Sequence, residues 1–125
     1  MGRGLADKGA VVVCGGRGGV MAAASKGAAE AGGVVVGILP GLDRAEANEW
    51  VTVAIATGLG ELRNGLVVRG ADAVVAVGGA YGTLSEIALA LQSRVPVFGL
   101  HTWDIGGIRP VATPEEAVKA ALGSP

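Results

Sequence analysis

Short runs of β-branched and aliphatic residues alternate along the chain with Ala-rich segments whose apolar positions recur at helical spacing. Residues 10–16 (AVVVCGG), 34–41 (VVVGILPG), 51–58 (VTVAIATG), 72–79 (DAVVAVGG) and 95–100 (VPVFGL) read as strands. Residues 20–32 (VMAAASKGAAEAG) read as a helix closed by glycines, a favoured C-terminal cap. Further helices are expected over 59–71, with Leu62, Leu66 and Val67 on one side, and over 83–94 (TLSEIALALQSR). A last helix covers 113–122, with proline at its first position, and residues 42–50 are a polar loop. Most of the strands are apolar throughout, the mark of strands buried on both faces. This predicts an α/β fold: a Rossmann-like, doubly wound parallel sheet in three αβα layers, forming one domain over residues 1–125. Ligands of such sheets sit beyond the carboxyl ends of the strands.

Composition changes how that core must be packed. Half of the 125 residues are hydrophobic but only 3% are aromatic, and 23 are glycine. The interior therefore depends on close approach of Ala, Val and Gly rather than on large rings. The glycine density also points to tight turns and to places where backbone approaches a ligand. With a net charge of −1 and no basic run, the chain lacks the electrostatic footprint of a nucleic-acid binder. Cys14 is the single cysteine, which excludes an internal disulfide. No leader pattern is visible, and no apolar stretch reaches the roughly 18–20 residues of a membrane span. The expected protein is soluble and cytoplasmic, without membrane contact.

Two strand–glycine–helix junctions carry the candidate chemistry: CGGRGGVM at 14–21 and VGGAYGTLSE at 77–86. Gly15, Gly16, Arg17, Gly18 and Gly19 in the first, and Gly78, Gly79, Tyr81, Gly82 and Thr83 in the second, form the expected phosphate- or ligand-binding set. Glycines allow the chain to turn sharply into a helix, whose first N–H groups and positive dipole end suit an anion. Neither stretch is a G-x-x-x-x-G-K-[ST] loop, which argues against Mg-nucleotide hydrolysis. Glu86 has two readings. Thr-x-x-Glu is the capping-box spacing, with Thr83 as cap; alternatively the carboxylate meets the sugar of a bound phosphate ester. His101 has no partner at metal spacing, so no metal site is expected. Ser25, Ser85 and Ser93 lack a triad frame, and Cys14 reads as a small buried hydrophobe. Tyr81 reads as either a contact to a base or pterin, or a surface aromatic. Trp50 and Trp103 could cover the site or a dimer seam.

The stretch GGAYGTLSE resembles the P-G-G-x-G-T-x-x-E signature of the Lonely Guy (LOG), or lysine-decarboxylase-like, superfamily, with Val77 in place of the proline. A family Arg set 23 residues before the signature Glu has its counterpart in Arg63. VCGGRGGVMAAASKGAAEAGGVVVGILPG is similar to a bacterial branch that includes relatives of a molybdenum-cofactor carrier protein. The resemblance implies that Gly78, Gly79, Gly82 and Thr83 hold a phosphate. It gives Glu86 the charge developing on a ribose, or the attacking water, and Arg63 the substrate's orientation. Two functions follow from it. One is a phosphoribohydrolase that breaks the N-glycosidic bond of nucleoside 5′-monophosphates such as AMP, through an oxocarbenium-like state that a carboxylate favours. The other is a non-catalytic carrier, with the molybdenum cofactor as cargo. Neither requires a cofactor for its own chemistry. Asn64 stands where the plant-type enzymes carry Lys, a departure that bears on activity rather than fold. The resemblance also implies a homodimer or larger homo-oligomer, and a central strand preceding the helix-like GRGLADKGA. The chain starts inside that helix; an upstream start, a closing-up of the remaining strands and a fragment are the three readings.

Overall fold

The computed structural model describes residues 1–16 and 20–123. The chain divides into two compact units, Met1–Val67 and Val68–Pro125.

In the first unit, α1 (Gly2–Asp7), β1 (Val12–Cys14), α2 (Val20–Glu30), β2 (Val35–Leu39) and β3 (Val53–Ala56) follow one another. The three strands form a parallel sheet in the order β1-β2-β3, with Val12 opposite Val35 and Val36 opposite Val53. β2 is central and the most deeply buried of the three. Val12, Ala28 and Val35 make the core, with Leu5, Ala6, Cys14 and Val51 packed around it. Small residues let α1 lie directly on α2: a methyl group on Gly2 would collide with the carbonyl oxygen of Ala24, and one on Gly27 would lie 3.0 Å from the Arg3 nitrogen. This is the ring-poor close approach that the composition calls for. A 3-10 turn at Gly60–Arg63 then leads into α3 (Asn64–Arg69).

The second unit holds β4 (Val74–Val77), α4 (Tyr81–Gln92), β5 (Val97–Leu100), β6 (Arg109–Val111) and α5 (Pro114–Gly123). Its sheet is again parallel, in the order β4-β5-β6. Val68, Ala76, Ile87, Ala90 and Val97 form its core, and Trp103, Ile105 and Ile108 from the β5–β6 crossover pack against it.

The α/β class with parallel strands is as expected, but the strands pair as two three-stranded sheets rather than one. β1 pairs with β2 alone, and β4 with β5 alone, so each is an edge of its own sheet. Three local expectations are also corrected. The segment 59–71 is not one helix: Gly60 at φ +60° tightens its start into the 3-10 turn, and Leu62 is 78% exposed instead of sharing a buried face with Val67. α4 begins at Tyr81, two residues before the expected Thr83. β6 had no sequence signal, because it is three residues long with Pro110 at its centre. It pairs on one side only, as a strand whose middle residue has no N–H must.

Candidate functional site

In the second unit, β4 delivers the chain into the glycine bend at residues 78–83. Gly78 takes φ +81°, a conformation that side chains oppose, so the turn itself requires this glycine. Gly79 is different. Its φ is not positive, it is exposed, and a methyl group added there would meet no protein atom within 4 Å. The same open space surrounds Gly78.

α4 follows with Ala80 as its N-cap, and no side chain caps it. The carbonyl of Ala80 accepts from the N–H of Leu84 at 3.0 Å, which leaves the N–H groups of Tyr81, Gly82 and Thr83 without an acceptor inside the helix. Twelve residues of aligned peptide dipoles stand behind them. Thr83, third in the helix, adds its hydroxyl to the same turn. A hydroxyl and an indole N–H brace the bend from β5's side: Thr102 Oγ1 donates to Gly78 O at 2.6 Å, and Trp103 Nε1 donates to Ala80 O at 3.3 Å. Nothing local in the sequence marks Thr102 for this work; the pairing of β4 with β5 brings it there.

The capping-box reading of Glu86 is corrected. Because the helix begins at Tyr81, Thr83 lies inside it and Glu86 falls outside the first turn, where it is half-buried. The Thr-x-x-Glu pattern forms its box elsewhere. At the head of α5, Thr113 Oγ1 accepts from Glu116 N at 3.1 Å, and Glu116 Oε2 accepts from Ala112 N at 2.9 Å. Tyr81 is 83% exposed and stacks on Trp103, with ring centroids 6.3 Å apart and an interplanar angle of 25°.

In the first unit, Gly15 and Gly16 are buried at the end of β1. Gly16 takes φ +78°, and its Cβ would lie 3.1 Å from Gly37 Cα, so two backbones touch here. Arg17, Gly18 and Gly19 lie outside the described residues. Arg63, at the end of the 3-10 turn, is 93% buried, being 7% exposed. Its Nη1 donates to Ile38 O on β2 at 3.0 Å, and its Nε is buried without a hydrogen-bond partner. The ion pairs among the described residues, Arg3–Glu30 and Lys26–Glu30, leave it out. A buried guanidinium in this state is expensive.

Cys14 is half-buried against the core, with Sγ 3.6 Å from Oγ of the buried Ser25. Among the described residues no group of three or more His, Cys, Asp or Glu could hold a metal ion, and no helix is long and apolar enough to cross a membrane.

These features define a class: parallel α/β proteins that present an open glycine bend and an uncapped helix start at the carboxyl end of a strand. The chain belongs to the SLOG cluster4 family, whose model matches residues 1–121. It is 46% identical over 121 residues to an uncharacterised protein of Archaeoglobus fulgidus, covering 96% of this chain and 80% of that one. Among solved structures it is similar to the molybdenum cofactor binding protein of the phototrophic bacterium Rippkaea orientalis. That match has TM-score 0.89 and 38% identity, over 94% of this chain and 79% of the other. The molybdenum cofactor carrier protein of Chlamydomonas reinhardtii matches with TM-score 0.84 and 36% identity, over 98% and 84%. The P-G-G form of the signature is not present: Val77 holds the proline's place.

Proposed function

We propose that this protein binds and carries a phosphate-bearing small molecule, with the molybdenum cofactor as its cargo. The observation that carries the reading is the open bend at residues 78–83. A glycine that the fold does not need, Gly79, lies next to a helix start with three N–H groups lacking helical acceptors and no side-chain cap. Backbone donors fixed in this way hold an oxyanion without rearrangement. The similar solved structures are those of a molybdenum cofactor binding protein and a molybdenum cofactor carrier protein. Cargo held by such donors needs no acid–base step. Retention depends on the bend and on the Thr83 hydroxyl.

Purification of the full chain from a host that makes the cofactor tests this. Molybdenum and a fluorescent pterin should co-purify in equal amounts and disappear in Gly79→Ala. Cofactor-free protein from that host would refute the carrier reading.

A second reading, hydrolysis of a nucleoside 5′-monophosphate, rests on Glu86, which lies half-buried on α4 five residues after Tyr81 opens that helix at the bend. Incubation with AMP would then yield adenine and ribose 5-phosphate, and Glu86→Gln would lower that rate at least a hundredfold while the carrier's affinity stayed unchanged.

A further inference from the structure

The crossover of residues 101–108 leaves the carboxyl end of β5 and walls a cleft of about 300 Å3. Trp103 forms an aromatic side of it, Gly99 and Ile108 lie deeper, and His101 and Asp104 stand at the exposed rim. That volume is at the low end for small-molecule sites, enough for a fused bicyclic ring and too small for a whole nucleotide. The rim is held in place. Thr102 and Trp103 are tied to Gly78 and Ala80 by the two hydrogen bonds described above. A Cβ on Gly99 would sit 2.7 Å from both Ile108 Cγ2 and Thr102 Cγ2, so the strand and the crossover are in direct contact. His101 keeps φ +49°, a left-handed conformation that few non-glycine residues adopt.

We propose that this cleft receives the flat nitrogen heterocycle of the ligand whose phosphate the 78–83 bend holds. We further propose that Asp104 selects rings with an amino group beside a ring N–H. Pterins and guanine share that edge; adenine does not. The inference rests on the anion-binding reading and adds which ring accompanies the anion. An ionised carboxylate only accepts, and its two oxygens match two parallel N–H donors, as they match a guanidinium. Adenine presents its amino group beside a ring nitrogen that also accepts, so one carboxylate oxygen would face a lone pair. Trp103 lines the cleft as its aromatic wall, and the Tyr81 ring, at the opening of α4, stacks against it. His101 can donate to or accept from the ring's remaining polar edge, according to its tautomer.

The test uses the full chain and pterin-6-carboxylate, followed by fluorescence anisotropy. The expected result is saturable binding, displaced by GMP and not by AMP at equal concentration. Asp104→Asn should weaken pterin binding by about tenfold or more, the usual cost of losing a charge-assisted pair. Stabilisation of the fold by inorganic phosphate should be the same in Asp104→Asn as in the wild type. No pterin binding, equal competition by AMP and GMP, or undiminished binding in Asp104→Asn would each overturn the assignment of the cleft. Each leaves the anion reading standing so long as phosphate still stabilises the protein. Absence of phosphate stabilisation in the wild type would instead remove the anion reading, and the cleft assignment with it.

Discussion

Gly78 and Gly79 are neighbours with different obligations. Gly78 holds a positive φ that any side chain would strain, so Gly78→Ala should cost about 1 kcal/mol or more of stability, measurable by urea unfolding. Gly79 meets no such demand. Gly79→Ala should leave stability within about 0.5 kcal/mol of wild type, yet lower the affinity for phosphate-bearing ligands by at least tenfold, because its methyl group would occupy the space above the bend. Equal binding by the two forms would mean that the open space is incidental. Arg63 invites a complementary substitution. Arg63→Met removes a buried charge but leaves Ile38 O without its donor, and these effects oppose each other. Stability should stay within about 2 kcal/mol of wild type by urea unfolding. A large loss of stability without ligand would identify Arg63 as a purely structural post.

The two Thr-x-x-Glu stretches show how an element decides what a motif does. At 113–116 the helix opens at Pro114, so threonine stands just before it, accepting from Glu116 N, and the glutamate carboxylate turns back to Ala112 N. At 83–86 the helix has already begun at Tyr81, and the same spacing falls one turn too late. Thr113→Ala should therefore cost about 1 kcal/mol. Thr83→Ala should cost well under that and act on anion affinity instead. Denaturant midpoints for the two variants, measured side by side, check this contrast. The sequence discloses β1 to β5 and the helices α2, α4 and α5 by their apolar runs, with ends shifted by a few residues, but neither the 3-10 turn before α3 nor β6. It does not disclose where coiling starts in GGAYGTLSE, because glycine and alanine permit either boundary and the choice falls to the packing of Ile87 and Ala90 in the core. For the same reason Thr102 and Asp104 carry no local signal: strand pairing, rather than spacing along the chain, gives them neighbours.

At the scale of the whole molecule, each unit has a central strand flanked by two edges. β2 and β5 are bonded on both sides and largely buried, so their amides should exchange with deuterium most slowly. Those of β1, β3, β4 and β6 should exchange faster, and peptide-resolved exchange would reveal the difference. Uniform protection would mean that the sheet edges are covered in solution. The apolar strand pattern announces parallel α/β architecture, while pairing partners are set by contacts remote in sequence, so strand order is not legible from the pattern alone. The bond from Trp103 to Ala80 has a practical outcome of its own. The indole shares a carbonyl with the opening turn of α4, so its emission colour depends on the field there. Replacing Trp50 by phenylalanine would leave Trp103 as an unlabelled optical gauge of what enters that end of the helix.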